Sequence, residues 1–410
     1  MSYKERLTRL EKLLRVDNLS KRGNTNVGGD SPNTAENQEQ DVEETNDSID
    51  LFELKNLVFH GLPGDSQYRA LVWRLLLNYL PAKSIKSWDE FLVKKRNNYK
   101  HFVNDLLVIG EETRERNFDH PLNPEPDSKW QVFFKDNDVL LQIDKDVRRL
   151  CPEISFFQAE TAYPNEQVVS GKMDRLHKRV QSVVLESSNV IRKGLGITKI
   201  NPKGPMNQDG AETGEYHWEV VERILFIYAK LNPGQSYVQG MNEIIGPIYY
   251  TLANDPDVTW RENAEADTFY LFTNLMGEIR DFFIRSLDNS VSGIKRMMEM
   301  LMDRLKLRDQ AVYAHIVKLE IHPQYFAFRW ITLLMSQEFA LPEVLRIWDS
   351  LLSDHKRFDF LIDLASAMII HIRTELLTGD FPSNMKLLQN YPSIDVRDIL
   401  TLANSFSTSS

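Results

Sequence analysis

Long apolar stretches of this chain repeat every three to four residues, and that period restricts the fold more than any other feature. Tyr68–Leu80 carries Leu71, Val72, Leu75, Leu76 and Tyr79. Tyr216–Leu231 carries Val220, Val221, Ile224, Leu225 and Tyr228. Phe326–Phe339, Leu341–Leu352 and Phe358–Leu377 repeat in the same way. Residues three and four apart share one helix face, so each stretch offers an apolar stripe to a core. Two-residue alternation is scarce. Pro and Gly fall between periodic segments, as at Pro233-Gly234 and Leu341-Pro342. The expected fold class is all-α, with many helices of ordinary length.

The pattern also divides the chain. Residues 1–19 read as a short amphipathic helix with apolar positions at Leu7, Leu10, Leu13 and Leu14. Residues 20–50 are built from Asn, Ser, Gly, Thr, Gln, Asp and Glu, and read as a disordered acidic and polar linker. Such a segment buries too little apolar surface to offset its ordering entropy. Residues 51–392 form the expected main domain, and 393–410 a C-terminal helix and tail. Within the domain, 163–215 is poor in aromatics and rich in Gly, Asn and Pro after Lys193. A helix is expected over Lys172–Ile191, the rest being a flexible insertion. No repeat of fixed period marks a solenoid.

Charge and motif content remove several function classes. The chain holds 49 basic and 59 acidic residues, a net charge of -10. Phosphate backbones call for a basic field, so nucleic acid is not an expected partner. The single cysteine, Cys151, permits no intrachain disulfide and suits a reducing compartment. Lys4, Arg6 and Arg9 are followed by no apolar run of the secretory kind. Ile244–Ala253 and Phe360–Ile372, the most apolar stretches, fall short of the roughly 20 residues a membrane span needs. The expected location is cytoplasmic, peripheral on endomembranes through a partner. No GxxxxGK[ST] loop, strand-linked GxGxxG, HExxH, Cys/His cluster or GxSxG elbow occurs. The chain is therefore expected to need no metal and no cofactor of its own.

Four patches pair chemistry with periodicity. In Val139–Leu150, Val139, Leu140, Ile143, Val147 and Leu150 share the face expected to be buried. Arg149 lies roughly 120° from Ile143 and should point outward, with Asp146 between them. An Asp–Arg pair at i,i+3 holds the guanidinium in one direction; the plain alternative is a surface ion pair. The second patch is Tyr237-Val238-Gln239-Gly240-Met241-Asn242, at the expected start of a helix. A glutamine there can orient water, since it donates and accepts at once; the alternative is a capping residue. Gly240 lets another backbone approach closely. The third is Gly61-Leu62-Pro63 with Arg69 and Trp73 on one helix face. The fourth joins Phe328-Arg329-Trp330, Glu338-Phe339 and Arg346-Ile347-Trp348-Asp349. Buried Arg–Asp pairs that fix helix packing are the default reading of these last two.

At these residues the chain resembles the TBC-domain family. The spacing Ile143, Asp146, Arg149 followed by Tyr237, Gln239, Gly240 looks like that family's two signature motifs. The Gly-Leu-Pro…Arg69…Trp73 start and the Arg329-Trp330…Glu338-Phe339…Arg346-Ile347-Trp348-Asp349 stretch resemble its first and later motifs. The resemblance covers about Leu57 to Tyr391. It implies an all-α fold with two subdomains forming a groove, and GTPase-activating activity toward Rab-family small GTPases in vesicle trafficking. By residue-for-residue transfer, Arg149 would be an arginine finger and Gln239 a glutamine finger, both supplied in trans, with Asp146, Tyr237 and Gly240 in support. GTP and Mg2+ would be carried by a GTP-bound Rab, and membrane contact would be indirect, through the prenylated Rab. The alternative is a non-catalytic Rab-binding adaptor of the same fold. Two departures stand out: Leu150 where the family often has threonine, and Ser236 where glycine is common.

Overall fold

A computed structural model describes residues 3–14, 48–62, 67–107, 129–180, 214–284 and 293–407. Helices account for nearly all its regular structure. The first is α1 (Tyr3–Leu14), which buries Leu10 and Leu14 against α2 (Leu51–Val58). Asp50 caps α2: its Oδ1 accepts the backbone N–H of Phe52 at 2.8 Å and of Glu53 at 3.2 Å, a standard way to satisfy orphan donors at a helix start. Residues 15–47, which include most of the linker expected over 20–50, lie outside the described residues.

Two groups of helices follow. The first contains α3 (Arg69–Leu76), α4 (Trp88–Leu107), α5 (Lys129–Val147), α6 (His217–Leu231), α7 (Met241–Ala253) and α8 (Ala264–Ile279). Here α6 packs against α5, α7 and α8, and is almost wholly buried. The second contains α9 (Ile294–Arg308), α10 (Gln310–Lys318), α11 (Ala327–Thr332), α12 (Leu341–Ser353), α13 (Arg357–His371), α14 (Arg373–Thr378), α15 (Phe381–Gln389) and α16 (Val396–Ser407). Its centre is α13, on which α9, α11, α12 and α16 pack. The two groups meet where α12 touches α2, α3 and α7. The all-α expectation is borne out, and no strand occurs among the described residues.

Ionic clusters lock the first group. Asp267 is fully buried on α8. It accepts from Arg74 on α3 at 3.1 Å, from Arg96 on α4 at 2.9 and 3.0 Å, and from the Tyr79 hydroxyl at 2.8 Å. Arg223 on α6 meets Glu265 at 2.6 Å and also pairs with Glu215. Such pairs are strongly destabilising when one partner is lost, because a buried charge is left uncompensated.

The long excursion between α5 and α6 is anchored on the core at its described part. Met173, Leu176, His177 and Val180 are buried. The Arg175 guanidinium donates to Glu219 at 2.7 and 2.8 Å. The two ends of the excursion also pair: Thr161 N–H donates to Glu215 O at 2.7 Å and His217 N–H to Ala159 O at 3.1 Å, forming an isolated bridge between Glu160 and Tyr216. Met173, Leu176, His177 and Val180 all fall at the start of the helix expected over Lys172–Ile191, and residues 176–180 are helical. Residues 181–213, with most of the helix expected over Lys172–Ile191, lie outside the described residues.

Candidate functional site

Helix α5 ends at Val147, two residues before Arg149. Val147 and Ile143 are fully buried and fix the helix against α6 and α7. The chain then turns. Arg149 N–H donates to Asp146 O at 3.1 Å, and Cys151 takes a left-handed φ of 43°. Arg149 leaves the surface as its position on the helix predicts, its side chain 72% exposed. Its Nη2 donates to Asp146 Oδ1 at 3.2 Å and its Nε to Lys145 O at 3.0 Å. Most of its donor fork therefore remains free to meet an anion.

Asp146 has a second partner from a distant part of the chain. The Tyr237 hydroxyl, itself buried, donates to Asp146 Oδ2 at 2.7 Å. Burial, and then the adjacent Asp146 carboxylate, push the Tyr237 phenol well above its ordinary range, so it stays protonated as a donor. One carboxylate thus joins the two sequence patches, an oxygen for each. Tyr237 in turn carries Gln239, exposed two residues on, to the mouth of α7. Gly240 caps that helix with φ 100°, and a Cβ there would sit 2.8 Å from Leu333 Cδ2. The left-handed backbone is what favours glycine here, since the Leu333 methyl can shift.

Beside Arg149 lies a cleft of about 410 Å3, where the two helical groups meet. Cys151, Pro152 and Glu243 line one wall, and Gln337, Glu338 and Phe339 the other. Burial pushes the Glu243 carboxyl up; it accepts from Asn242 Nδ2 at 2.8 Å. Burial likewise pushes the Cys151 thiol up, which leaves it a poor nucleophile. Asn242 and Glu243 were not among the residues read from sequence, although Asn242 closes the Tyr237–Asn242 motif. The neighbouring Arg148 is held differently from Arg149: it lies over the Trp218 ring at 4.3 Å and pairs with Asp144 at 2.8 Å.

The remaining motif residues build the frame. Asp349, with no exposed side-chain surface, accepts four donors. Arg69 Nε and Trp73 Nε1 reach its Oδ1 at 3.1 and 3.0 Å, and Arg69 Nη2 and Leu62 N–H its Oδ2 at 3.1 and 2.9 Å. Trp348 packs on Trp73 with ring centroids 5.8 Å apart and donates to Leu334 O at 3.0 Å. The third and fourth patches are therefore one structure. Two details correct the default reading. Among the described residues Arg346 pairs with no carboxylate: it donates to Ser350 Oγ at 2.7 Å and lies against Gly61 (φ 87°), where a Cβ would overlap its guanidinium. Arg329 is not buried; it reaches Glu338 at 2.6 and 2.9 Å on the cleft side, and Trp330 alone is buried behind it.

Comparison with known proteins gives a consistent result. The family described as "RabGAP-TBC: Rab-GTPase-TBC domain" matches residues 172–377, a span that contains Gln239 and starts after Arg149. TBC1 domain family member 13 of Mus musculus is 51% identical over 381 residues, covering 88% of this chain and 95% of that protein. A TBC domain-containing protein of Schizosaccharomyces pombe is 33% identical, covering 88% of this chain and 71% of its own length. Among solved structures, the Ypt/Rab-GAP domain of Gyp1p superposes with a TM-score of 0.60 at 23% identity, over 88% of this chain and 93% of that one.

Proposed function

The chain belongs to the Rab-GTPase-TBC domain family, and on that premise we propose that it activates GTP hydrolysis by a Rab-family GTPase, with Arg149 and Gln239 completing the partner's active site. One observation supports the reading: Asp146 holds both Arg149 and Tyr237, which ties the segment that carries Gln239 to the one that carries Arg149 while both proposed fingers stay exposed. A residue exposed for surface reasons alone gains nothing from such a buried clip.

The chemistry follows from phosphoryl transfer. Charge spreads over the γ-phosphoryl oxygens and the leaving oxygen as the bond to the β-phosphate breaks. The Arg149 guanidinium would meet that charge through parallel hydrogen bonds in a site emptied of water. Gln239 would accept from the attacking water and donate to a phosphate oxygen. GTP and Mg2+ belong to the GTP-bound partner, so this chain needs only to present the two groups. Lysine at 149 keeps the charge and loses the fork, so Arg149→Lys should fail as well. Leu150 is buried against Gly246 of α7, which lacks the Cβ that would crowd it; that departure thus leaves the finger's exit untouched. Membrane contact would be indirect, through a prenylated Rab, at the cytoplasmic face of endomembranes. No helix among the described residues is long and apolar enough to cross a membrane.

The test is single-turnover GTP hydrolysis by a panel of purified Rabs. Acceleration of one or a few of them should fall by about 10³–10⁵ with Arg149→Ala and sharply with Gln239→Ala. Tight binding of a GTP-form Rab without acceleration would replace this reading with a non-catalytic adaptor.

A further inference from the structure

Asn242 is the second residue of α7 and is buried, 4% exposed. A polar residue beside a helix start most often serves the helix's own free N–H groups. Asn242 has other partners. Its Oδ1 accepts from the Tyr237 hydroxyl at 3.3 Å. Its amide nitrogen lies between two acceptors: Glu243 Oε1 at 2.8 Å and the backbone carbonyl of Asp146 at 3.5 Å, 96 positions away in the chain. The two amide hydrogens suffice for both. The Asp146 carbonyl also takes the Arg149 N–H at 3.1 Å, so it closes the turn from which the guanidinium emerges.

Two constraints thus act on Asp146. Tyr237 steadies its carboxylate, and Asn242 steadies its main chain. The second fixes where the turn itself sits relative to α7. Gln239 immediately precedes Gly240, which caps that helix, and Asn242 follows two residues later. One helix start therefore holds Gln239 and also the turn that carries Arg149. The other side of the amide is anchored as well, because Glu243 takes a further hydrogen bond from Gln337 on the opposite wall of the cleft. Aspartate at 242 would keep the shape of the side chain. It would offer no donor to the Asp146 carbonyl and would set a second carboxylate against Glu243.

We propose that Asn242 is a positioning residue for GTPase activation: by tying the Arg149 turn to the start of α7 it sets the separation of Arg149 from Gln239. The inference rests on the two-finger reading above. Its test follows single-turnover GTP hydrolysis by an accelerated Rab as the concentration of full-length protein is raised. The unaltered chain, Arg149→Ala, Asn242→Ala and Asn242→Asp are compared, and the folded fraction of each is measured by thermal unfolding. Asn242→Asp, which keeps the side-chain shape, stays informative where Asn242→Ala unfolds. A displacement on the order of 1 Å costs on the order of 10²-fold in rate. Both Asn242 variants should therefore lower the plateau rate by about tenfold to a hundredfold and leave the half-saturating concentration unchanged. An unchanged plateau, or a loss confined to the half-saturating concentration, overturns the positioning role. So does a plateau that falls only as far as the folded fraction does, which assigns Asn242 to stability alone. No acceleration by the unaltered chain on any Rab, or acceleration that survives Arg149→Ala, overturns the two-finger reading and this inference with it; those two samples separate that failure from a failure at Asn242.

Discussion

Replacing Asp349 by asparagine should expose how much of the frame rests on one side chain. Each oxygen of the carboxylate accepts two donors: Arg69 Nε and the Trp73 indole on one, Arg69 Nη2 and Leu62 N–H on the other. Asparagine has the same shape, yet whichever way its amide turns, the NH2 faces two donors. Two hydrogen bonds are lost, and the buried Arg69 guanidinium loses the charge of Asp349. Breaking a buried pair from one side costs about 3–5 kcal/mol, a large part of a total stability of roughly 5–15 kcal/mol. At about 2 °C per kcal/mol for a chain of this size, the melting temperature should fall by roughly 5–10 °C. Differential scanning calorimetry, with the denaturant midpoint as a second reading, measures it. Asp395→Asn, at a well-exposed pair with Arg397, is the control. A shift no larger than the control's would refute the argument that Asp349 joins α3 to α12.

Tyr237→Phe removes the hydroxyl that steadies Asp146 and keeps the ring. A hydrogen bond to a charged group is worth about 1.5–3 kcal/mol, so the proposed stimulation of GTP hydrolysis on the Rab should fall by about tenfold or more while Rab binding persists; an unchanged single-turnover rate would separate the clip from catalysis. Ser236 sits at φ 58°, where an L side chain costs about 1–2 kcal/mol; Ser236→Gly should raise the denaturant midpoint slightly, and a lower midpoint would contradict it. His217, desolvated by burial, titrates at about 4. Its neutral form is favoured in the fold, so its contribution to stability is complete above the unfolded-state value and is lost as pH falls from about 6.5 towards 4. His217→Phe should flatten that part of the profile in urea titrations at a series of pH values, and an unaltered slope would assign the proton uptake elsewhere.

The helices were legible because their signal is local. Periodic apolar positions at Tyr216–Leu231 or Phe358–Leu377 need no partner to be recognised. The outward course of Arg149 and its pairing with Asp146 were legible for the same reason, being three residues apart on one helix. What escaped depends on contacts across the chain. Asp146 meets Tyr237 over 91 positions and Asp349 meets Arg69 over 280, and period arguments carry no information at those separations. The expectation of Arg–Asp pairs was therefore right in kind and misplaced in detail: Asp349 takes Arg69, while its near neighbour Arg346 turns to Ser350 and Gly61. Exposure misled at Arg329, where an aromatic neighbourhood hides only Trp330. Ser236 was seen as a departure, but only the backbone angle shows why glycine suits that place.

The pairing of residues 159–161 with 215–217 has a consequence for how this chain tolerates change. The excursion between them leaves and returns through adjacent backbone, so added length that spares Met173, Leu176 and Val180 costs loop-closure entropy, about 0.6 kcal/mol for each doubling. Relatives can thus gain or lose residues there without disturbing α5 or α7. For protein engineering, a small domain with neighbouring termini, such as a fluorescent reporter, can be spliced between positions 181 and 213. It would travel with the cleft beside Arg149 as a label.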